Sequence, residues 1–400
     1  MNRERAKFIV YYREGDNFTC LNSDNSKFYT VPYTEINELY NNNCCFNLMS
    51  GYNLTKKCLK QFKKDFREWN RELVNISNQD RLYYMKLHSH HRAVGLILHR
   101  YSPLYRELYK KLPAIKFNEY TFMDNCFNGG LQYLDPQYKG KSINCYGYDY
   151  TSFYATNLTK IKIPINEGKE LILKELPKNL KYGLYRVNIE CSDPDINKVF
   201  SFSNNQTYTH YDLKWAQKLK RKYKFNIDIN LIDDGEPNAY LYDEEDLIEG
   251  RAMFGNWYDK LIKLKKKYPK NRLAKHLLSS LWGILCKINK KLIKADDIDD
   301  VDLNNIKDFV PTESGGYYII EQEERYTNSI ARFKPFLTAY GRVKIGKTII
   351  DNIKNLVRVH TDGIVFNTPI NFNIEDLIPE EKTTGQIIWQ HQNDYKEDAN

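Results

Sequence analysis

Two aspartates lie in contexts that could present a carboxylate for chemistry. Asp362 falls in the run Val357–Phe366, where β-branched residues flank Asp362-Gly363 and predict a tight hairpin with the carboxylate at or beside its tip. Asp149 ends a strand-like run and precedes a predicted helix, whose first backbone N–H groups could receive a phosphate. Each signal is weak alone, because Asp-Gly is a common turn dipeptide and a strand-end Asp often caps a helix.

A third feature is a predicted helix that carries a lysine and an aromatic ring on one face. Lys275, Ser279 and Trp282 are spaced i, i+4 and i+7, whereas leucines at 273, 277, 281 and 285 form a separate apolar stripe. The lysine could bind a phosphate while the indole ring packs on a base pair. The alternative is an ordinary solvated lysine, which is the commoner case.

Charge is distributed unevenly along the 400 residues, which carry a formal net charge of +9. From Arg251 to Lys294 there are thirteen Lys or Arg residues and one acid, Asp259, and an acidic cluster follows from Asp296 to Asp302. The basic stripe could follow a phosphate backbone, or it could be a solvated helix face. Because Lys, Asn, Ile, Tyr and Phe are all abundant, an A/T-rich genome alone would also give this composition.

Composition and patterning describe a globular chain with two or three subdomains. The hydrophobic share is 42% and the charged share 28%. No apolar run approaches the roughly 20 residues that span a bilayer, and Met1–Arg5 leads into a predicted strand, so neither a membrane segment nor a signal peptide is expected. The eight cysteines include no Cys-x-x-Cys pair, which argues against zinc or a disulfide framework and fits a reducing interior.

The predicted elements alternate between strands and helices with long intervening segments, which indicates an α/β architecture around a mostly antiparallel sheet. Short β-rich stretches and turns are predicted from 166 to 248, and a loop-rich segment from 288 to 330. Strands are predicted at Lys7–Tyr12 and Asn144–Tyr150. Helices are predicted at Leu54–Leu73, Asp80–Tyr101, Leu247–Tyr268, Arg272–Lys287 and Pro335–Asn355, and Pro269 separates the third from the fourth.

Taken in order, these features resemble motifs A, B and C of family B DNA polymerases, and most closely the protein-primed type of phages, linear plasmids and related mobile elements. Two further segments add to the likeness. Phe127–Leu131 is similar to the Tyr-x-Gly-Gly element that precedes motif A, and Thr338–Arg342 to the Thr-Ala-x-x-Arg helix that precedes motif C. The resemblance covers roughly residues 121 to 391.

The resemblance implies a two-metal site. Asp149 and Asp362 would hold two Mg²⁺ ions, for which Mn²⁺ could substitute, with the backbone carbonyl of Tyr150 as a further ligand. Hard oxygen donors suit Mg²⁺, and paired ions stabilise both the attacking and the leaving oxygen. One ion would lower the pKa of the primer hydroxyl, and the other would hold the triphosphate.

The resemblance also implies roles for other side chains. Lys275 would approach the nucleotide phosphates, Tyr154 would stack under the sugar and exclude a 2′-hydroxyl, and Trp282 would line the nascent base pair. Further nucleotide-binding candidates are Thr151, Ser152, Phe153, Ser279, Lys263 and Arg272. Candidates for DNA contact are Gly129, Gly130, Tyr340, Arg342 and Thr361.

The sequence departs from the family pattern without losing either metal-ligand aspartate. His360 stands where the hairpin usually has its first acid, Gly363 replaces a Ser, and Ala155 replaces a Pro. In motif B, Ser279 replaces Asn and Trp282 replaces Tyr. We interpret the site as intact but divergent.

The implied fold is α/β (α+β), with a right-hand palm and fingers, an antiparallel palm sheet, insertions and an amino-terminal remnant. The expected domains are a degenerate or truncated exonuclease-like region (1–120), palm with motif A (121–165), an insertion like the terminal-protein region (166–248), fingers with motif B (249–287), a second insertion (288–330), and palm with motif C lacking the thumb (331–400). The exonuclease acids are missing, for example at His88, so proofreading is not expected. We interpret His88, His90 and His91 as surface residues.

The implied function is Mg²⁺-dependent, DNA-directed DNA synthesis in the replication of a virus or mobile element, in the cytoplasm or wherever that element replicates. The partners would be template and primer DNA, dNTPs and a terminal protein that offers a priming hydroxyl, with no membrane partner. The alternative is a catalytically inactive module that binds DNA or terminal protein. Retention of Asp149, Asp362, Lys275 and Tyr154 favours the enzyme, and the absence of adjacent paired aspartates in the hairpin disfavours a reverse transcriptase.

Overall fold

The computed structural model divides into two compact units, residues 1–101 with 262–280 and residues 102–261 with 281–400. It describes the backbone of four strands in the first 47 residues, and then residues 98, 101–126, 128–267, 272–294, 306–311, 316–321 and 325–397. Within these residues, no helix is both long and apolar enough to cross a bilayer.

The first unit contains a four-stranded sheet in the order β3-β2-β1-β4. Its strands are β1 (Phe8–Glu14), β2 (Asn17–Asn22), β3 (Phe28–Pro32) and β4 (Cys44–Asn47). Strands β1 to β3 form an antiparallel meander, and β4 pairs with β1 in parallel. The strand predicted at Lys7–Tyr12 is therefore confirmed. The predicted helix at Leu54–Leu73 and the three histidines lie outside the described residues, as does almost all of Asp80–Tyr101.

The second unit is built on a six-stranded antiparallel sheet, the palm sheet, in the order β20-β19-β6-β18-β17-β5. Its strands are β5 (Gln132–Leu134), β6 (Ser142–Tyr150), β17 (Leu356–His360), β18 (Gly363–Phe366), β19 (Leu377–His391) and β20 (Asp394–Glu397). The central strand β6 confirms the strand predicted at Asn144–Tyr150. Because β6 lies between β18 and β19, residues far apart in sequence meet at its end.

Alternation along β6 separates two apolar layers. Tyr148 and Tyr150 belong to a large core that also includes Ile364 and Phe366, whereas Cys145 packs with Trp389 in a smaller cluster. Since successive side chains of a strand point to opposite faces, Asp149 lies on the same side as Cys145.

Three helices contribute side chains to the large core, α3 (Phe153–Leu158), α4 (His210–Lys222) and α7 (Lys334–Ile349), and α7 contacts both of the others. The other α-helices of the described residues are α1 (Pro103–Leu108), α2 (Phe117–Cys126), α5 (Gly250–Lys267) and α6 (Arg272–Leu285). Helix α7 is buried along most of its length and runs into a 3₁₀ segment, Ile350–Asn355, as the predicted helix Pro335–Asn355 requires. Helix α5 ends at Lys267 and α6 begins at Arg272, so the predicted break is also confirmed.

Residues 166–248 form a second sheet in the order β10-β9-β12-β8, with β11 also paired to β9. Its strands are β8 (Lys169–Leu171), β9 (Gly183–Cys191), β10 (Thr207–Thr209), β11 (Ile227–Leu231) and β12 (Ala239–Leu241), and nearby β7 (Lys162–Pro164) pairs with β13 (Leu247–Glu249).

The strand-and-turn prediction for this region missed α4, a helix of 13 residues. A capping box starts it, because the Thr209 hydroxyl accepts from the Asp212 N–H and the Asp212 carboxylate accepts from the Thr209 N–H.

The segment 288–330 is also more ordered than the predicted loop. It contains a three-stranded antiparallel sheet, β14 (Lys291–Lys294), β16 (Gly316–Glu321) and β15 (Ile306–Pro311), with β16 in the middle. Alternating apolar residues such as Tyr317 and Ile319 gave this signal, which the neighbouring acids and Gly315-Gly316 obscured. The acidic cluster at 296–302 lies outside the described residues.

Candidate active site

The hairpin of β17 and β18 has a two-residue turn made of Thr361 and Asp362. His360 pairs with Gly363, and the Asp362 N–H donates to the His360 carbonyl at 2.8 Å. Thr361 has φ of 61°, a left-handed conformation that is uncommon for a β-branched residue. Such a residue persists only where its surroundings determine the turn.

Two neighbouring strands hold this turn from opposite sides. The Thr361 N–H donates to the carbonyl of Leu131 at 2.9 Å, and the Asp362 carbonyl accepts from the Tyr150 N–H at 3.1 Å. Each neighbouring segment therefore bonds to one backbone group of the turn. Leu131, just before β5, binds the Thr361 N–H, and Tyr150, at the end of β6, binds the Asp362 carbonyl.

The register brings the two predicted metal-ligand acids onto adjacent strands. Asp149 pairs directly with Gly363, the residue after Asp362. A Cβ added to Gly363 would lie 3.8 Å from the Asp149 Oδ1 atom, so the Asp149 carboxylate lies beside the turn. Both aspartates are partly exposed to solvent.

Asp149 does not cap the helix that follows it. The N-cap residue of α3 is Ser152, which has φ of 53° and ψ of 41° and makes no side-chain capping bond. Asp149 is instead inside β6, two residues before the strand leaves the sheet at Thr151, whose N–H donates to the Asp376 carbonyl. The capping interpretation of Asp149 is therefore wrong.

Tyr154, which was predicted to stack under the sugar and exclude a 2′-hydroxyl, lies among other aromatic rings. Its ring centroid is 5.4 Å from that of Trp282 and 5.3 Å from that of Phe153. Burial raises the pKa of Tyr154 to about 12, and the negative charge of Asp362 acts in the same direction. The structure thus brings the rings of Tyr154 and Trp282 together.

Phe153, which was predicted to bind the nucleotide, lies inside the protein, and its role toward a nucleotide stays a prediction. Its side chain is buried, packs on Tyr150 and lies under the ammonium group of Lys344. Alternation around the start of α3 explains this placement, because Phe153 and Tyr154 leave the helix in different directions.

The Gly-Gly element packs on the same turn. A Cβ on Gly130 would lie 2.8 Å from Thr361 Oγ1 and 2.9 Å from Thr361 Cγ2, so only glycine fits between β5 and the turn. Gly129 has no such neighbour within 4 Å. The element therefore positions the hairpin, whatever DNA contact it also makes.

Arg342 was predicted to contact DNA, but the structure buries it. It is 4% exposed, and its guanidinium forms an ion pair with Asp212, which is 3% exposed, at distances of 3.0 and 3.1 Å. It also donates to the carbonyls of Asn128 and Gly129. Arg342 therefore connects α7 and α4 to the Gly-Gly element and acts as a positioning residue, and its predicted contact with DNA stays a prediction.

Asp212 was missed as a member of this network. The Thr-x-x-Asp spacing of Thr209 and Asp212 could have revealed a helix start, but no sequence pattern indicates that the same carboxylate pairs with an arginine 130 residues later. The fifth predicted DNA-contact residue, Tyr340, is partly buried with its ring edge-on to Tyr211.

Four predicted nucleotide-binding residues belong to the other compact unit. Lys263 on α5, and Lys275 and Ser279 on α6, are exposed, and Arg272 is the first residue of α6. The leucines at 277, 281 and 285 are buried, as the apolar stripe predicts. The roles of the four polar residues toward a nucleotide stay predictions.

His360 takes the position of a missing carboxylate beside the turn. Burial, and secondarily the positive charge of Arg358, lower the pKa of its imidazole below the usual value. Within the described residues, no group of three or more His, Cys, Asp and Glu side chains could enclose a metal ion. Two carboxylates and a backbone carbonyl nevertheless fit Mg²⁺, which keeps several waters and binds substrate phosphates rather than an all-protein cage.

The fold matches solved structures that include several of Phi29 DNA polymerase. The chain superposes on Phi29 DNA polymerase complexed with primer-template DNA and incoming nucleotide substrates with a TM-score of 0.56 at 12% identity, covering 98% of this chain and 87% of that one. It matches Phi29 DNA polymerase complexed with single-stranded DNA with a TM-score of 0.52 at 12% identity, covering 95% and 69%. The chain has an α/β polymerase-like fold. No protein-family model and no curated protein matches its sequence.

The contact between Gly130 and the turn predicts a stability effect. Gly130→Ala should lower the free energy of unfolding by about 1–3 kcal/mol, because the new methyl group overlaps Thr361. Gly129→Ala should change it by less than about 0.5 kcal/mol. Urea denaturation measures both. Adding Thr361→Gly to Gly130→Ala should recover stability, because it removes the overlapping atoms and suits the positive φ. Equal effects of the two alanine variants would contradict this packing.

The buried ion pair gives a second prediction. Asp212→Asn should lower the free energy of unfolding by about 3 kcal/mol or more, because it leaves the Arg342 guanidinium buried beside a neutral group. Urea denaturation followed by fluorescence of the buried Trp215, Trp257 and Trp389 reports this unit. The control is Glu107→Gln, which breaks an exposed pair with Lys111 and should cost under about 1 kcal/mol. Similar losses in both variants would mean that the pair does not hold α4 to α7.

Proposed function

We propose that the chain is a DNA-directed DNA polymerase that joins a deoxynucleotide to a primer hydroxyl. The supporting observation is the register of the palm sheet. Asp149 pairs with Gly363, and the Tyr150 N–H donates a hydrogen bond to the Asp362 carbonyl. Two acids separated by more than two hundred residues are thereby held on neighbouring strands. A fold like that of Phi29 DNA polymerase supports the same proposal.

In this proposal the Asp149 and Asp362 carboxylates, with the Tyr150 carbonyl, hold Mg²⁺. When bound, the metal would activate the attacking hydroxyl and neutralise the charge that develops on the leaving pyrophosphate. The contribution of the chain itself is positional, since the backbone bonds at the turn fix where the carboxylates lie before any ligand arrives.

Tyr154 and Trp282 would define the nucleotide pocket. The centroids of their rings are 5.4 Å apart. An aromatic ring next to the metal-ligand acids is suited to lie under a deoxyribose and to clash with a 2′-hydroxyl. Lys275 would bind the triphosphate as a compact charge from an exposed position on α6.

The partners in this proposal are template and primer DNA and dNTPs. Protein priming is proposed on the family resemblance, with residues 166–248 as the region that would receive a terminal protein. The absence of proofreading is proposed from the sequence alone, in which the exonuclease acids are missing. The segments that would carry them lie largely outside the described residues.

Primer extension tests the central proposal. Asp362→Asn should reduce dNTP incorporation with Mg²⁺ by at least about 1000-fold, because the lost metal contact is worth several kcal/mol to the transition state. Asp228→Asn is the matched control, since Asp228 is an exposed surface carboxylate that forms an ion pair with Lys220. Incorporation that is insensitive to Asp362→Asn would disprove the assignment. If the wild type binds primer-template DNA but incorporates nothing, the non-catalytic binding module is the better description.

Sugar selection tests the pocket. Tyr154→Val should raise incorporation of rNTPs relative to dNTPs by at least about 10-fold, because a gap replaces the ring under the sugar. Tyr154→Phe keeps the ring and should keep the discrimination. The measurement is the ratio of kcat/KM for dNTP and rNTP on one primer-template. An unchanged ratio in Tyr154→Val would remove Tyr154 from this role.

A further inference from the structure

A buried arginine side chain lies beside the two aspartates of the proposed metal site. Arg358 is 7% exposed, and its Nη1 atom and the Asp149 Oδ1 atom each lie 3.8 Å from the point where a Cβ on Gly363 would be. The guanidinium and the Asp149 carboxylate therefore flank the same position, next to Asp362. Neither the motif resemblance nor the predicted site residues included Arg358.

The rest of the sheet holds this guanidinium in place. It lies over the Trp389 ring, with the Cζ atom 4.6 Å from the centroid, and its Nε–H donates to the Gln392 carbonyl. Trp389 is fully buried, with its indole N–H on the Cys145 sulfur. An arginine stacked and bonded in this way cannot swing into solvent without leaving an aromatic face and a carbonyl uncovered.

We propose that Arg358 is a fixed counter-charge that weakens divalent-cation binding to Asp149 and Asp362. The inference rests on the proposed metal site and deepens it. The Asp149 and Asp362 carboxylates together with the Arg358 guanidinium sum to one negative charge instead of two. The triphosphate of an incoming nucleotide would supply the missing negative charge, which makes stable metal binding depend on nucleotide.

The size of the effect follows from Coulomb's law. Even at the dielectric constant of water, about 80, a unit positive charge roughly 6 Å from a divalent cation weakens its binding by about 10-fold, and a lower effective dielectric constant enlarges the effect. In this inference Arg358 acts through the charge that it sets beside the two carboxylates, and not as a catalytic residue.

The test measures Mn²⁺ binding to the full chain without nucleotide or DNA, from the free-ion signal in electron paramagnetic resonance. Arg358→Met keeps an unbranched side chain on Trp389 and removes the charge, so it should bind Mn²⁺ about 10-fold more tightly than wild type. Arg358→Lys keeps the charge and should bind as wild type does. Adding Asp362→Asn to Arg358→Met should abolish the gained affinity, which assigns it to this site.

Structural damage is separated from loss of charge by a second neutral variant. Arg358→Gln can still donate a hydrogen bond to the Gln392 carbonyl, and it should show the same tighter binding with an unchanged urea midpoint. Unchanged or weaker Mn²⁺ binding in folded Arg358→Met and Arg358→Gln overturns the inference. Failure of both to fold also overturns it, because Arg358 would then be a scaffold of the sheet.

The result also distinguishes this inference from the proposed function. Suppose that Asp362→Asn abolishes Mn²⁺ binding to the wild type but the Arg358 substitutions leave its affinity unchanged. The proposed metal site would then be retained, and only the counter-charge role of Arg358 would be rejected. No Asp362-dependent binding in any variant would reject the metal site and the proposed polymerase activity together.

Discussion

The structure of the site depends on one strained turn. Thr361 adopts a left-handed conformation that costs a non-glycine residue about 1 kcal/mol or more, and the contacts around the turn offset this cost. The Leu131 carbonyl and the Tyr150 N–H hold its two sides, and Gly130 leaves space for its side chain. Asp362 owes its position to these contacts rather than to any property of Asp-Gly itself.

The buried ion pairs extend this constraint outward. Arg342 joins the N-terminus of α4 to the carbonyls that precede Gly130, so the second sheet and the turn share one network. Arg332 and Glu119, both fully buried, likewise tie the 3₁₀ turn that precedes α7 to α2. Such pairs add little net stability, but removing one partner is costly, which favours a single relative placement of these helices. A network of this kind is suited to holding two carboxylates from distant segments in register.

The sequence predicted local structure well and tertiary roles less well. The hairpin at Asp362, the strand that ends near Asp149 and the break before α6 all follow from short-range patterns of β-branched residues and proline. The burial of Arg342 and Phe153 could not be predicted in this way, because short-range sequence patterns do not indicate which residues pack against them in the fold. Helix α4 was missed although its capping box is visible, because the aromatic and β-branched residues around it suggested strands.

Arg358 shows why motif matching alone describes this site incompletely. In the sequence it is one of several residues in a β-branched run, and an arginine inside a strand would ordinarily be assigned to the solvent face. The bulge between Leu356 and Arg358 shifts the register of β17 and places the side chain on Trp389, beside Gly363. A Cβ at position 363 would lie 3.8 Å from both the Arg358 guanidinium and the Asp149 carboxylate, which is an ordinary van der Waals distance. The space around position 363 therefore admits a Cβ, and what distinguishes this part of the sheet is that a buried guanidinium and a carboxylate lie on either side of the same residue.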